Sequence, residues 1–198
     1  MTKVSLIGDV HGDVDRLRNM LRTVAEETDR TIVLLGDYVN RGPDPAGVLD
    51  LLSRMQDRLG ERLVLLEGNH DRAFREFLAG GEIAHLLAMG GATTALSYLG
   101  MVQGEISGRL RASVPERHIE VLDSLQAMWC TDDLVALHQW PEDKIEVGAR
   151  FAVLGHYPQP DHRPRIDDTT AYLDTGCGSD PEGVLTCFRF PEGDWHSI

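Results

Sequence analysis

The chain has 198 residues, of which 19 are Lys or Arg and 32 are Asp or Glu, so its formal net charge is −13. This length suits one domain with a sizeable core, and the negative charge disfavours nonspecific binding to nucleic acid or anionic membranes. No apolar stretch approaches the roughly 20 residues of a membrane span, and the N-terminus MTKVSLIGDVHG lacks a signal-peptide pattern. We therefore expect a single cytoplasmic domain over residues 1–198, with no nucleic-acid or membrane partner.

The first half of the chain alternates between strand and helix patterns. The short apolar runs KVSLI (3–7), TIVLL (31–35) and RLVLL (62–66) are typical of buried strands. Apolar residues recur at helical spacing between them, over 14–24 and 48–59. About 60 mainly helical residues follow, including ERHIEVLDSLQAM after Pro115, and strands return in LVALH, FAVLGH, TAYLD and VLTCFRF. The pattern predicts an α/β fold.

Polar turns follow the first three strands directly. They are GDVHG (8–12), GDYVNRG (36–42) and GNHD (68–71), and two later strands end in His138 and His156. Gly, Asp and Asn are common in turns for conformational reasons alone, but the carboxyl ends of parallel strands share one sheet edge, where ligands bind. One pocket is therefore expected to contain Asp9, His11, Asp37, Asn69, His70, His138 and His156.

This set combines imidazole, carboxylate and amide groups without a thiolate. Such donors favour Mn²⁺, with Fe and Zn²⁺ as alternatives, over a structural zinc site. A carboxylate can bridge two cations roughly 3.5–4 Å apart and hold a hydroxide between them for attack on phosphorus. Arg41 follows the same turn as Asp37 and could bind phosphoryl oxygens in bidentate fashion. The sequence therefore predicts a site for two divalent metal ions beside a phosphate-binding arginine.

The order GDVHG…GDYVNRG…GNHD…H…GH resembles the calcineurin-like metallophosphoesterases. More narrowly, it is similar to the bacterial serine/threonine phosphoprotein phosphatase branch and the related symmetrical diadenosine tetraphosphate hydrolases. GGATTALSYLG, YLDTGCG and VLTCFRF also resemble stretches of that branch, so the resemblance spans most of the chain. It implies a fold of two packed mixed β-sheets flanked by α-helices.

The resemblance also implies a role for each matched residue. Asp9 and His11 would bind the first metal, Asp37 would bridge both, and Asn69, His138 and His156 would bind the second. His70 would be the proton donor, with Asn40 beside it, and Arg41 and Asn69 would contact substrate. Pro158 stands where other branches have a second histidine, so water would complete the first metal's coordination.

Three features depart from the family pattern. Asn40 stands where GDxxDRG has Asp; its neutral amide could accept a hydrogen bond from the His70 ring but would leave the pKa of His70 lower than a carboxylate would. Alternatively, Asn40 only shapes the turn. Only 18 positions separate His138 from His156, where longer relatives carry a substrate-binding segment, and Gln139 and Trp140 replace smaller residues. The short segment predicts an open site that accepts small phosphomonoesters.

Several nearby residues have simpler interpretations. Asp44, Asp71 and Asp174 are expected to form turns or helix caps, and four other histidines, His85, His118, His162 and His196, are expected at the surface. The three cysteines, Cys130, Cys177 and Cys187, show no C-x-x-C spacing. They indicate neither a disulfide framework nor a thiolate metal site.

The favoured function is hydrolysis of phosphomonoesters by a dimetal-bridging hydroxide, with phosphoserine or phosphothreonine in proteins as the first substrate class. The alternative substrate is a dinucleoside polyphosphate such as diadenosine tetraphosphate. Asn40 and the short segment also motivate a rival hypothesis, a weakly active phosphate-binding regulatory protein. A purely structural protein is the third possibility. The sequence leaves the oligomeric state open.

Overall fold

A computed structural model describes residues 2–101, 103–141, 148 and 150–198. Its strands are β1 (Val4–Ile7), β2 (Thr31–Leu34), β3 (Leu63–Leu65), β4 (Met128–Cys130), β5 (Leu134–Leu137), β6 (Phe151–Leu154), β7 (Arg165–Ile166), β8 (Thr170–Tyr172), β9 (Thr186–Phe190) and β10 (Asp194–Ser197). Its α-helices are α1 (Val14–Val24), α2 (Pro45–Leu59), α3 (Asn69–Leu78), α4 (Ile83–Ala88), α5 (Ala92–Leu99), α6 (Ser107–Ser113) and α7 (Glu116–Asp123). A membrane-spanning helix needs about 20 apolar residues, and none of these described helices qualifies.

The strands form two mixed sheets of five. The first has the order β10-β9-β1-β2-β3 and the second the order β4-β5-β6-β8-β7. Strands β1, β2 and β3 are parallel, as are β5, β6 and β8, while β9 and β10 join the first sheet in antiparallel fashion. The predicted α/β fold of two packed mixed sheets flanked by helices is confirmed.

Alternate residues of each central strand pack on opposite faces of the sheet. In β1, Leu6 joins the core between the two sheets, whereas Ile7 faces the helices. In β2, Val33 and Ile32 divide in the same way. Both faces are covered, so these strands are apolar throughout, as expected for buried parallel strands. The packing fixes where each strand ends, and therefore where the polar turns lie.

Two capping aspartates fix the starts of the helices that follow the site turns. Asp13 caps α1 by accepting a hydrogen bond from the Arg16 backbone N–H at 3.0 Å. Asp44 caps α2, which begins at Pro45, by accepting from the Gly47 N–H at 2.9 Å. A cap of this type stabilises a helix by about 1 kcal/mol. The predicted capping role of Asp44 is confirmed.

Two sequence predictions fail in the middle of the chain. The helix predicted through SLQAM ends at Asp123, because Gln126 pairs with Leu66 and residues 128–130 form an edge strand on β5. His118 is buried, not at the surface, because its face of α7 packs against Tyr98, whose hydroxyl lies 2.8 Å from the His118 Nδ1. Tertiary contacts override the local pattern in both places.

The three cysteines differ in environment, which predicts their reactivity. Cys130 is exposed, whereas Cys177 and Cys187 are buried, and burial raises the pKa of each buried thiol to about 12. Thiolate is the reactive form. We expect a thiol reagent such as dithionitrobenzoate to titrate one fast thiol in the folded protein at pH 8 and three after unfolding in guanidinium. Cys130→Ser should remove the fast phase; its survival would contradict the assignment.

Candidate metal centre

The site lies where the central strands of both sheets end. Asp9 follows β1 by two residues, as His156 follows β6, and the His156 backbone N–H donates to both Asp9 carboxylate oxygens at 3.2 Å. A Cβ on Gly8 would lie 2.1 Å from the Leu173 carbonyl oxygen, so only glycine lets the two sheets approach here. The first and second sheets therefore meet at this edge.

The turns that carry the site are conformationally unusual. Six of the described non-glycine residues have positive φ, and five of them lie in these turns: His11 (42°), Asp37 (56°), Asn40 (69°), Arg41 (64°) and His156 (60°). Such residues are uncommon, and they concentrate at functional sites, where the surrounding structure holds them. The concentration of five of them in one place supports a functional site at this sheet edge.

Asp71 stabilises the turn that carries Asp37. Its carboxylate accepts hydrogen bonds from the backbone N–H groups of Asp37 (2.7 Å), Tyr38 (2.8 Å) and Gly68 (3.0 Å). The side chain is fully buried. The predicted turn-forming role of Asp71 is confirmed, and its consequence is that the Asp37 and Asn69 turns are tied together.

One carboxylate oxygen, Asp37 Oδ2, is shared by two groups of potential ligands. It lies 3.6 Å from His11 Nε2 and 3.9 Å from His70 Nε2 on one side, and 3.5 Å from His138 Nε2 on the other. Among the described residues, the two groups are His11, Asp37 and His70, and Asp37, His138 and His156. This placement suits a carboxylate that bridges two cations.

The ring orientations of His11 and His138 fit metal binding. His138 donates its Nδ1–H to the Leu35 carbonyl at 2.9 Å, and His11 donates to the Val39 carbonyl at 3.3 Å. Each Nε2 is therefore left with a lone pair, the arrangement that protein-bound metals use. Burial, followed by the neighbouring His156, lowers the pKa of His138 to about 3, so the ring is neutral at pH 7.

The oxygen of Asn69 completes the second group. It lies 3.0 Å from His138 Nε2 and 2.9 Å from His156 Nδ1. Since His138 Nε2 and the amide oxygen are both acceptors, a cation beside them would remove the conflict between their lone pairs. The donor set of Asp37, Asn69, His138 and His156 therefore fits a divalent ion.

Buried negative charge also indicates that the site fits a divalent ion. Asp9 and Asp37 are each only 2% exposed. Burial raises the pKa of Asp9, and the charge of Asp174 raises it further; for Asp37 the causes are burial and then Asp71. A bound cation favours the ionised carboxylate. Among the described residues Asp9 belongs to neither group around Asp37, so its metal role stays a prediction.

Arg41 and His70 stand beside the two groups. Arg41 Nη2 lies 3.0 Å from His70 Nε2, while Nη1 donates to His11 Nε2 at 3.2 Å and to the Ser179 hydroxyl at 3.0 Å. Burial, then the charges of Arg41 and His156, lowers the pKa of His70 to about 4. The guanidinium therefore contacts both the candidate metal ligand His11 and the predicted proton donor His70.

Asn40 contacts His70 as predicted, but through its side-chain nitrogen and not its oxygen. The Asn40 Nδ2 lies 3.0 Å from His70 Nδ1, so the amide donates where the sequence predicted that it would accept. The reason is Thr94, whose hydroxyl donates to the Asn40 oxygen at 2.7 Å. No local pattern indicates Thr94, because it lies 54 positions from Asn40 within an apolar helix pattern.

Ser179 was also missed, whereas Asp174 was expected near the motifs only as a turn or cap residue. Asp174 is 3% exposed, accepts from the Gly176 N–H at 3.1 Å as the predicted turn residue, and adds negative charge beside Asp9. Both residues follow β8, which ends at the same edge as β6. The strand-end pattern of YLDTG could have indicated Asp174, whereas nothing in the sequence marks Ser179.

Open clefts flank the centre on two sides. One of about 450 Å³ is lined by residues that include Arg16, Arg41 and Ser179, and another of about 340 Å³ by residues that include Arg72 and His138. Gln139 lines the second cleft, as predicted, but Trp140 packs against Tyr157 and the outer face of the second sheet. Part of the short 138–156 segment, residues 142–147 and 149, lies outside the described residues.

Comparison with known proteins agrees with this geometry. The family model for calcineurin-like phosphoesterases matches residues 2–187. The chain belongs to this family. Calcineurin-like phosphoesterases use divalent metal ions, which the His and Asp groups around Asp37 could hold.

Two bacterial family members match over nearly the whole chain. Both are named bis(5'-nucleosyl)-tetraphosphatase PrpE, asymmetrical: that of Halalkalibacterium halodurans is 24% identical over 98% of this chain and 92% of its own, and that of Bacillus velezensis is 26% identical over 98% and 91%. Their names specify the asymmetrical reaction, whereas the sequence resemblance was to symmetrical hydrolases.

Another relative matches only part of the chain. A candidate serine/threonine-protein phosphatase of Caenorhabditis elegans is 41% identical, but over only 34% of this chain and 19% of its own.

Among solved structures, a candidate diadenosine tetraphosphatase superposes with a TM-score of 0.68 at 20% identity, covering 100% of this chain and 93% of its own. That structural likeness supports the calcineurin-like fold.

Proposed function

We propose that this calcineurin-like phosphoesterase hydrolyses phosphoric esters or anhydrides with two divalent metal ions. The observation that carries the proposal is the position of Asp37 Oδ2, 3.5–3.9 Å from three histidine ring nitrogens. When bound, the ions would supply Lewis-acid activation of the phosphoryl group and of the attacking water. Manganese as the native ion and a cytoplasmic location remain predictions from the sequence.

The proposed ligands divide between two positions that share Asp37. Asp9, His11 and Asp37 would hold the first ion. Asp37, Asn69, His138 and His156 would hold the second. His70 Nε2 also faces Asp37, but we assign it to the leaving group because it lies beside Arg41.

Arg41 would bind the phosphoryl oxygens. A guanidinium offers two parallel N–H donors to such a group, and Arg41 already directs one donor to His11 and another to His70, which lie on the same side of Asp37. Its contact with the Ser179 hydroxyl holds it over the site. When a phosphoryl group binds, the guanidinium would exchange its histidine partners for phosphoryl oxygens.

His70 would donate a proton to the leaving oxygen. Its Nε2 lies 3.0 Å from Arg41 Nη2 and therefore next to any oxygen that Arg41 binds. The backbone N–H of His70 donates to Asp37 Oδ1 at 3.0 Å, which ties the donor to the proposed bridging carboxylate. Proton donation of this kind contributes about 10²–10⁴-fold to the rate when the leaving group is poor.

Dinucleoside tetraphosphates are the substrate class that we favour. Two relatives that match nearly the whole chain carry that activity in their names. A cleft on each side of the centre also suits a substrate with a nucleoside at both ends. The local match to a protein phosphatase supports a second candidate, phosphoserine or phosphothreonine in an exposed peptide.

A substrate panel tests the proposal. The protein would be assayed with Mn²⁺ on diadenosine tetraphosphate, a phosphoserine peptide and p-nitrophenyl phosphate, with the Asp37→Asn variant as the blank. We expect turnover of diadenosine tetraphosphate; ATP plus AMP would indicate asymmetrical cleavage and two ADP symmetrical cleavage. Metal binding without turnover of any substrate above the blank would contradict the enzyme and favour the regulatory alternative.

A further inference from the structure

We propose that Thr94 is a positioning residue: through the side-chain amide of Asn40, it keeps the neutral His70 ring protonated on Nε2, the nitrogen that faces the phosphoryl site. The hydrogen-bond argument stands on the contacts alone. Only its catalytic consequence rests on the proposed function.

The hydroxyl of Thr94 makes both of its hydrogen bonds with Asn40. Thr94 is completely buried, and its Oγ1 accepts a hydrogen bond from the Asn40 backbone N–H at 3.0 Å. The hydroxyl proton then goes to the Asn40 side-chain oxygen at 2.7 Å. A single hydroxyl thus holds both the backbone of a left-handed residue and the orientation of its amide.

The orientation of the amide decides where His70 carries its proton. With its oxygen on Thr94, Asn40 presents Nδ2 to His70 Nδ1 at 3.0 Å. An amide nitrogen can only donate, so Nδ1 must accept, and a neutral imidazole has its single proton on the other nitrogen. That nitrogen, Nε2, is the one beside Arg41.

Arg41 is a competing hydrogen-bond partner of the same ring. Its Nη2 lies 3.0 Å from His70 Nε2 and can also only donate, and a neutral ring cannot accept at both nitrogens. Rotation of the Asn40 amide would turn its oxygen toward His70, so that Nδ1 could carry the proton and Nε2 could accept from Arg41. The buried Thr94 hydroxyl proton would then lose its acceptor. Movement of Arg41 onto a phosphoryl oxygen resolves the conflict without that loss.

Asn40 therefore differs from a carboxylate in the hydrogen bond that it makes with His70 as well as in charge. A carboxylate at position 40 could only accept, so it would require a proton on His70 Nδ1. Nε2 would then carry a proton only in the imidazolium form. The pair of Thr94 and Asn40 instead offers an Nε2–H donor from the neutral ring.

Nitrogen NMR of the histidine rings tests this directly. The full chain, with ¹⁵N-labelled histidine, would be loaded with diamagnetic Zn²⁺ and inorganic phosphate, and His70 would be assigned by loss of its signals in His70→Gln. We expect the Nε2–H tautomer in the wild type and in Thr94→Ser, which keeps the hydroxyl. Thr94→Val should shift the ring to Nδ1–H, as should Asn40→Asp, where only acceptance is possible.

Thr93→Val is the matched control, because the Thr93 hydroxyl donates to the Gly90 carbonyl and not to Asn40. It should leave the tautomer unchanged. An Nδ1–H tautomer in the wild type, or an unchanged tautomer in Thr94→Val, would overturn the proposal. The same spectra of the metal-free chain in inorganic phosphate, which offers Arg41 another acceptor, report the tautomer even if the protein binds no metal and hydrolyses nothing, so the two proposals fail separately.

Kinetics tests the catalytic consequence. Thr94→Val should lower kcat on a phosphoserine peptide, which has a poor leaving group, by about 10-fold or more, as part of the roughly 10²–10⁴-fold contribution of a proton donor. The fall on p-nitrophenyl phosphate should be smaller, KM should change little, and Thr94→Ser should restore kcat. An equal fall on both substrates would show a general structural role and contradict the catalytic consequence.

Discussion

Asp37→Asn should weaken metal binding at both positions of the centre. Asn keeps the size of the side chain but removes the charge from the oxygen that faces His11 and His138 at 3.6 and 3.5 Å. Loss of an outer hydrogen-bond partner of a metal ligand costs roughly 10–100-fold in affinity, and loss of a shared anionic ligand should exceed that. Elemental analysis of the purified variant, together with calorimetric Mn²⁺ titration, measures the effect.

Asp44→Asn is the matched control for this experiment. It makes the same change of charge at an aspartate that caps α2 and lies outside both ligand groups. We expect its metal content to equal that of the wild type. His156→Ala should deplete mainly the second position. Full occupancy of both positions in Asp37→Asn would show that the bridge is misassigned.

His70→Gln should lower kcat on the phosphoserine peptide by about 10²–10⁴-fold, because an alkoxide leaving group needs a proton. Hydrolysis of p-nitrophenyl phosphate should fall much less, because its phenolate leaves without assistance. Metal content should stay near that of the wild type if His70 serves the leaving group and not a metal. Rates on both substrates and elemental analysis of the same preparation measure the three quantities.

An exposed histidine on α4 provides the control for His70. His85→Gln makes the same change away from the centre and should leave both rates unchanged. If His70→Gln instead lost one ion per chain and slowed both substrates equally, His70 would be a metal ligand in the group with His11 and Asp37. That result would contradict its role as proton donor.

The sequence could predict the residues that follow central strands. Apolar runs such as TIVLL identify buried parallel strands, and the strand ends of such a sheet must meet at one edge. Asp37, Asn69 and His138 were predictable because each follows its strand almost directly. The same reasoning brought His156 to this group, and like His138 it follows a strand of the second sheet.

The sequence could not predict contacts that depend on packing between distant elements. Thr94 reaches Asn40 from helix α5, and no local pattern distinguishes it from Thr93. The short edge strands β4 and β10 also escaped prediction, because exposed edges lack the apolar runs of central strands. For the same reason, the orientation of the Asn40 amide emerged only from the hydrogen bonds around it.

The most direct test of the central claim is an anomalous-scattering crystal structure of the Mn²⁺-loaded protein. A shared Asp37 carboxylate predicts two manganese peaks, roughly 3.5–4 Å apart. Both should lie within bonding distance of Asp37, one beside His11 and the other beside His138 and His156. A single peak, or two peaks of which either makes no bond to Asp37, would contradict the account.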